Sequence, residues 1–375
     1  MRIAQHVGIH SEASLAKCTV FEAEMRRRLW WALVLFDSRM AEMAGCMNVT
    51  YLVPVWDCKV PLNVNDSELR PEMREPPTSA RVATEAIFAV ARAEFGEFVR
   101  HAAFQLDFTC PWLKPLAKDP QHPPTPDGSV MPVLERVLEQ KYLQVCDPNN
   151  SLHYMTIWMT RSQLARSHLI EHFSKNPDPS KLTEEQRGAA FAHALRALVC
   201  NTRIMTSPLT KKLRWLTQFY YPFPAYVYIS QELKRRPLWE QADKAWAIMS
   251  ENYGSLYTSF FLETDDRPLF RVFVKPILAA WDAREAALSG HAGVSMTPPV
   301  IVQKVRHQLE LIEQDEGLNL GMGDTPDSSD LNYFAMSMPV SSDNQLQLDV
   351  GLQPGFQMPL GIDAGSLGWG ATKWI

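Results

Sequence analysis

Apolar residues recur at three- or four-residue spacing along most of the chain, and strict alternation is scarce. That pattern predicts helices packed on helices, with little or no sheet. The longest uninterrupted run is Phe21 to Met43, FEAEMRRRLWWALVLFDSRMAEM, with no Gly or Pro before Gly45. Met25, Leu29, Leu33, Phe36, Met40 and Met43 fall on one helical face, which the spacing assigns to the core. Glu22 precedes Arg26 by four residues, as Glu24 precedes Arg28, the favourable order for ion pairs along a helix. Trp30 and Trp31 project about 100° apart, so at least one sits at the edge of the buried stripe.

The same period predicts further helices over Ala80–Leu106, Val130–Val145 and Ser151–Ser174. Thr183 to Gln186 spells a capping box, T-E-E-Q, that opens a helix reaching about Met205. Leu213–Leu233 is aromatic, but Pro222 and Pro224 break it. Pro237 fits the first position of a helix over Leu238–Tyr253. Pro268 opens another to Leu288, kinked at Pro276, and a last amphipathic helix covers about Val300–Gln314, stopping before Gly317. Between them run Pro-rich connections, notably Gly45–Pro77 with five prolines and Asp119–Gly128. The expected fold is all-α: an irregular multi-helix bundle with long Pro-rich loops and a disordered acidic C-terminal tail.

The tail follows from composition. Gln308 to Thr372 holds ten acidic residues and no Lys or Arg; against a formal net charge of −5, this leaves the rest of the chain at +5. From Gly317 onward periodicity is lost among Gly, Ser, Asp and Pro, a composition that buries too little apolar area to offset chain entropy. Isolated Leu, Phe, Met and Trp between acids are also the pattern of a disordered activation segment, with a plain solvated tail as the other reading. With 375 residues, 46% of them hydrophobic, the body is large enough for a sizeable core. No run of about 18 apolar residues is present, so no membrane span or membrane partner is expected. MRIAQHVGIH lacks the apolar core of a secretory signal.

The long helix carries a resemblance. FEAEMRRRLWW is similar to the middle homology region of fungal binuclear-zinc-cluster transcription factors, the fungal-specific transcription factor domain. RIAQHVGIH (Arg2–His10) and DCKVPLNVNDSELRPEM (Asp57–Met73) resemble the same family, in the same order. The match is strongest over Met1 to about Leu106 and extends, more weakly, to about Leu288. Arg26, Arg27, Arg28, Trp30, Trp31, Asp37, Pro61, Asn63 and Asp66 carry it. The resemblance implies transcriptional control, a nuclear location and protein partners: the transcription machinery or a DNA-binding factor. A small-molecule effector and dimerisation are compatible with it. The motif residues are expected to be structural, with Asp37 pairing an Arg and the tryptophans packed beneath the Asp57–Met73 loop. In the family the RIAQ text lies well inside the fold, so the expectation is an N-terminally truncated domain over residues 1–290. A helix and linker at 291–316 and the tail at 317–375 complete the division.

A family member of this type carries a Cys-rich DNA-binding module. Cys18, Cys46, Cys58, Cys110, Cys146 and Cys200 are scattered, with no C-x-x-C pair, whereas six thiolates holding two metals need close spacing. They read as buried thiols. Zinc is therefore expected only in a module preceding this chain, with no cofactor in the chain itself, and direct DNA binding is not expected from it. Arg26–Arg28 fan around a helix, and the clusters Lys211-Lys212-Leu213-Arg214 and Lys234-Arg235-Arg236 read as solvated faces.

Enzyme chemistry finds one foothold. His168, Glu171 and His172 fit H-x-x-E-H, in which two histidines on one helix face bind zinc and Glu activates water. A third ligand cannot be placed and the expected β-sheet is absent, so ordinary helix histidines are the favoured reading. Asp265-Asp266 lacks the third acid of a D-D-x-x-D magnesium motif, since Leu269 takes its place. The cluster Asp57, Asn63, Asn65 and Asp66 reads as turn formers. No nucleophile elbow or phosphate loop occurs. The sequence thus points to a non-enzymatic regulatory region. An α-helical small-molecule binder or enzyme of a fungal pathway, with Trp215–Tyr228 lining a cavity, is the alternative.

Overall fold

The structure, a computed structural model, describes residues 1–43, 56–100, 102–109, 128–217, 220–257, 267–289 and 297–319. These all belong to one unit, Met1–Ser341. Residues 44–55, 110–127 and the tail from 320 onward lie outside them, as do Asp265 and Asp266. Twelve α-helices and no strand occur among the described residues: α1 Arg2–His6, α2 Glu12–Leu15, α3 Val20–Met43, α4 Ile87–Val99, α5 Ala103–Thr109, α6 Met131–Leu138, α7 Ser151–Lys175, α8 Glu184–Thr206, α9 Phe223–Arg235, α10 Ala242–Tyr257, α11 Arg267–Ser289 and α12 Val300–Asn319. The fold is all-α, as the periodicity predicts.

The two longest central helices are well capped. Asn150 accepts the Leu152 and His153 amides at the start of α7. At α8 the Thr183 hydroxyl takes the Gln186 amide while the Gln186 side chain returns to Thr183 N–H, so both orphan donors are satisfied. Helix α7 lies at the centre, with α8 along one side and α4, α5 and α6 on another. Its Ala165 and Leu169 enter a core shared with α8 to α12, around Phe191, Tyr226 and Trp281. Leu164 and Ile170 of the same helix enter a second core with α4 and α6. Helix α12 contributes Ile301, Val302 and Val305 to the first core.

Several boundaries differ from the expected ones, each for a local reason. The predicted Ala80–Leu106 helix begins only at Ile87, because the chain before it is used to satisfy one buried amide. Asn63 Nδ2 donates to the Ala80 and Val82 carbonyls, and the Thr84 hydroxyl donates to Asn63 Oδ1. It also breaks between Val99 and Ala103. After α6 the chain makes one π-turn over Glu139–Leu143, closed by Gln144 N–H on Glu139 O. Pro237 does not open a helix: the segment after it turns twice, with Trp239 packed between Phe191 and Arg236, and α10 starts at Ala242. Helix α12 runs through Gly317 to Asn319 instead of stopping before the glycine.

The largest correction concerns the face of α3. Met25, Leu29 and Phe36, assigned to the core by spacing, are about half exposed, while Ala23, Trp30, Trp31 and Val34 on the opposite face are buried. Two adjacent indoles and a buried carboxylate, Glu24, outweigh the thinner Met/Leu/Phe stripe. Helix α3 packs on α4 where Gly96 faces it: a Cβ there would meet Leu35 Cδ2 at 3.0 Å and Trp31 Cζ3 at 3.2 Å.

Candidate functional site

The three stretches singled out by the sequence resemblance meet in space. Trp30 and Trp31 both pack edge-on against Trp56, with ring centroids 5.3 and 5.2 Å apart. Trp31 Nε1 donates to the Lys59 carbonyl at 2.9 Å, and Arg100 lies over the Trp56 ring at 3.4 Å. Arg27 forms a fork-to-fork pair with Glu12 (2.9 and 2.6 Å), whose Oε1 also accepts the Lys59 amide. Such bidentate, charge-assisted bonds are the strong ones. Burial works against the Glu12 charge, but Arg27 and the Lys59 amide hold its pKa below the usual carboxylate range. Glu24, buried beside them, accepts the Leu62 amide at 2.9 Å, with Arg28 and Arg27 at 3.5 and 3.7 Å. Burial pushes its carboxyl up.

Each arginine of the triplet therefore has a carboxylate partner within the chain: Arg26 with Glu22, Arg27 with Glu12, and Arg28 with Asp66 at 2.7 Å. Pro61 and Asn63 are buried in the loop they pin, and Asp66 is exposed. Asp37 lies further along α3, half-buried. Of the other basic clusters, Arg235 and Arg236 both pair with Glu184 and Glu232.

The H-x-x-E-H residues share α7 but face different tasks. His168 Nε2 bonds Glu135 at 2.9 Å and its ring stacks on His193 at 4.1 Å. Glu171 accepts the Ser129 hydroxyl and the Val130 amide, which lead into α6. His172 sits against Phe173 and Tyr228, where burial lowers its pKa. Among the described residues no cluster of His, Cys, Asp or Glu has the geometry of a metal site. Cys58, Cys146 and Cys200 are buried, and burial pushes their thiols up to about 12, 11 and 11. Burial thus favours the protonated thiol at each of the three.

A cavity of about 90 Å³ opens between α3, α4 and α7. Arg39, Arg92 and Arg166 converge on it with Tyr220. Tyr220 is the hub: its hydroxyl accepts Arg92 Nη2 at 2.7 Å, and the Arg39 and Arg92 guanidiniums lie 5.3 and 5.6 Å from its ring centroid. Arg39, Gln163, Arg166 and Tyr220 also line a smaller recess that continues to Tyr221 and Ala225 at the start of α9. The aromatic stretch Trp215–Tyr228, read as a cavity wall from the sequence, supplies Tyr220, Tyr221 and Ala225, whereas no motif marks the three arginines, which come from three separate helices.

Two relatives bear on what such a chain does. Transcriptional regulator AacuB of Aspergillus aculeatus is 48% identical over 301 residues, 80% of this chain and 40% of the relative. Transcriptional regulator nsrM of Aspergillus novofumigatus is 41% identical over 313 residues, 82% of this chain and 41% of the relative. The chain is a homologue of fungal transcriptional regulators. The aurofusarin cluster transcription factor aurR2 of Gibberella zeae is more distant, at 27% over 288 residues. The chain spans about two fifths of the length of these curated relatives. No family model matches the chain, and no solved structure is similar to it. Among the described residues, no helix of this homologue is long and apolar enough to cross a membrane.

Proposed function

We propose that the chain is the regulatory region of a fungal zinc-cluster-type transcription factor. In this reading it works in the nucleus and controls a set of biosynthetic genes through protein partners and an effector response, without chemistry of its own. The observation that carries the proposal is the 48% identity to a fungal transcriptional regulator over four fifths of the chain. The Arg26–Arg28 triplet supports a scaffold role, because each guanidinium ties α3 or a distant segment to it. A phosphate backbone would have to compete with those carboxylates. Under the same proposal, the DNA contact and its zinc belong to a separate module, and the acidic residues from 317 to 375 form an activation segment.

The test is transcript profiling of the native fungus with the gene deleted and restored. A coordinated loss of a group of biosynthetic transcripts, recovered on restoration, is the expected result. An unchanged profile under conditions where the gene is expressed refutes it.

The enzyme alternative rests on H-x-x-E-H, and the separate partners of His168, Glu171 and His172 weigh against it.

A further inference from the structure

An open groove of about 460 Å³ lies over α8, between α7 and α10. Its floor is one stripe of α8: Ala192, Leu195, Arg196, Val199, Cys200 and Arg203 recur at three- and four-residue steps. Such a stripe is roughly three turns, or about 17 Å, long. Trp158 and Arg161 of α7 form one wall, and Lys244 and Ile248 of α10 the other. The described lining holds four cations, Arg161, Arg196, Arg203 and Lys244, against one carboxylate, Glu139. Two of the cations are matched in place: Arg161 by a fork-to-fork pair with Glu139 (2.7 and 2.9 Å), and Arg196 by Glu135 at 2.6 Å. Arg203 and Lys244 differ. Both are exposed, and among the described residues neither pairs with an acid. The Arg203 guanidinium lies 4.1 Å from the centre of the Trp158 ring, and Arg161 lies 5.3 Å from the same ring. Stacking on an indole fixes the plane of a guanidinium and leaves its N–H edge for an acceptor.

We propose that this groove docks a short acidic peptide segment of a partner protein, its carboxylates meeting Arg203 and Lys244 and an apolar side chain resting on Leu195, Val199 and Ile248. Charge complementarity names the occupant, because the lining keeps two cations beyond its own ion pairs, and complementary charge steers encounter and fixes register. A peptide interleaves acids with apolar side chains, so it uses the floor and the cations together. A nucleic-acid backbone fits worse: Glu135 and Glu139 stand beside two of the cations, and an apolar floor gives phosphates nothing to bond. Docking stands independently of the regulatory reading; only its consequence for transcription rests on that reading.

The experiment uses the purified 375-residue chain and a fluorescein-labelled peptide of about a dozen residues that alternates Asp with Leu and Phe, a length matched to about three turns of helix. The same peptide with Asn for Asp is the neutral isostere, and duplex DNA is the polyanion control. Anisotropy is expected to show saturable binding of the acidic peptide, weakening as salt rises, with the neutral peptide at least about tenfold weaker. Lys244→Glu and Arg203→Glu should each weaken it at least about tenfold, while Lys212→Glu, exposed and outside the groove, leaves it unchanged. Arg203→Glu removes the stack on Trp158 and can lose stability, so the exposed Lys244 decides. A second measurement puts photoreactive benzoylphenylalanine in place of Gln241, an exposed residue of the lining, where it should capture the acidic peptide. The proposal is overturned by absence of saturable binding, by equal binding of the neutral peptide or by unchanged affinity in Lys244→Glu. It is also overturned if equimolar duplex DNA displaces the peptide, or if position 241 captures residues 320–375 of the chain itself instead. The gene deletion separates the two readings. Peptide binding alongside an unchanged transcript profile leaves the groove assignment standing and counts against the regulatory role. A lost group of transcripts with no peptide binding does the reverse.

Discussion

At the scale of single residues, the tryptophan pair of α3 encodes packing. Trp30 and Trp31 are at most 2% exposed, so Trp30→Ala or Trp31→Ala is expected to cost about 3–5 kcal/mol in denaturant unfolding. Trp31→Phe should lose less, about 0.5–1.5 kcal/mol, through the missing bond to the Lys59 carbonyl. An unchanged melting temperature in both alanine variants would refute this. The His168–His193 stack gives a pH signature. Burial first, and then the charge of His168, lowers the His193 pKa to about 4. The unfolded chain takes up that proton first, near the ordinary value of 6.5, so the contribution is complete above about 6.5 and lost as pH falls toward 4. Glu135, held down to about 2 chiefly by the bond from His168, acts in a lower window. Its contribution is present above 4.5 and fades as pH falls toward 2. Melting temperature followed against pH should therefore flatten between 6.5 and 4 in His193→Phe, while the lower limb remains. The tryptophans were recognisable in the sequence as landmarks, and their burial follows from their size. The histidine stack was not, since His193 comes from a helix whose register against α7 no local pattern states.

At the scale of elements, ends that carry their own capping chemistry were legible and the others were not. Thr183 and Gln186 announce α8, and Thr183→Ala should lower stability by about 0.5–2 kcal/mol, read from the shift in urea midpoint. The start of α4 was misplaced because its upstream residues serve Asn63, 20 or so positions earlier, a debt invisible to helical periodicity. The face of α3 was misread because counting apolar positions gives Met25 and Phe36 the same weight as an indole. Glu171 shows how a motif can mislead in the same way. Its carboxylate satisfies donors at the entry to α6, so Glu171→Ala should cost about 1–3 kcal/mol. Added zinc is expected neither to raise the melting temperature of the parent chain nor to rescue the variant. A zinc-dependent rise in the parent would revive the metal reading.

At the scale of the whole molecule, the all-α class was readable from the period alone, whereas the arginine cavity was not. Arg92 and Tyr220 are 128 positions apart, and only the docking of α3 and α4 on α7 brings Arg39 and Arg166 beside them. If the proposed tail function holds, fusing residues 308 to 375 to a foreign DNA-binding domain will activate a reporter, and silence will remove that role from the tail. Beside that cavity, Gly96 stands close against Leu35 and Trp31. Gly96→Ala gains about 1 kcal/mol of helix propensity, yet Trp31 is pinned by Lys59 and Trp56 and cannot retreat. Overpacking of about 1–3 kcal/mol should win, lowering the melting temperature. The absent methyl thus works as a calliper: it fixes how near two helices stand, and with that spacing the calibre of the opening beside them. Homologues that carry a larger residue at this point would need a smaller neighbour than Trp31 or Leu35 to keep the same spacing.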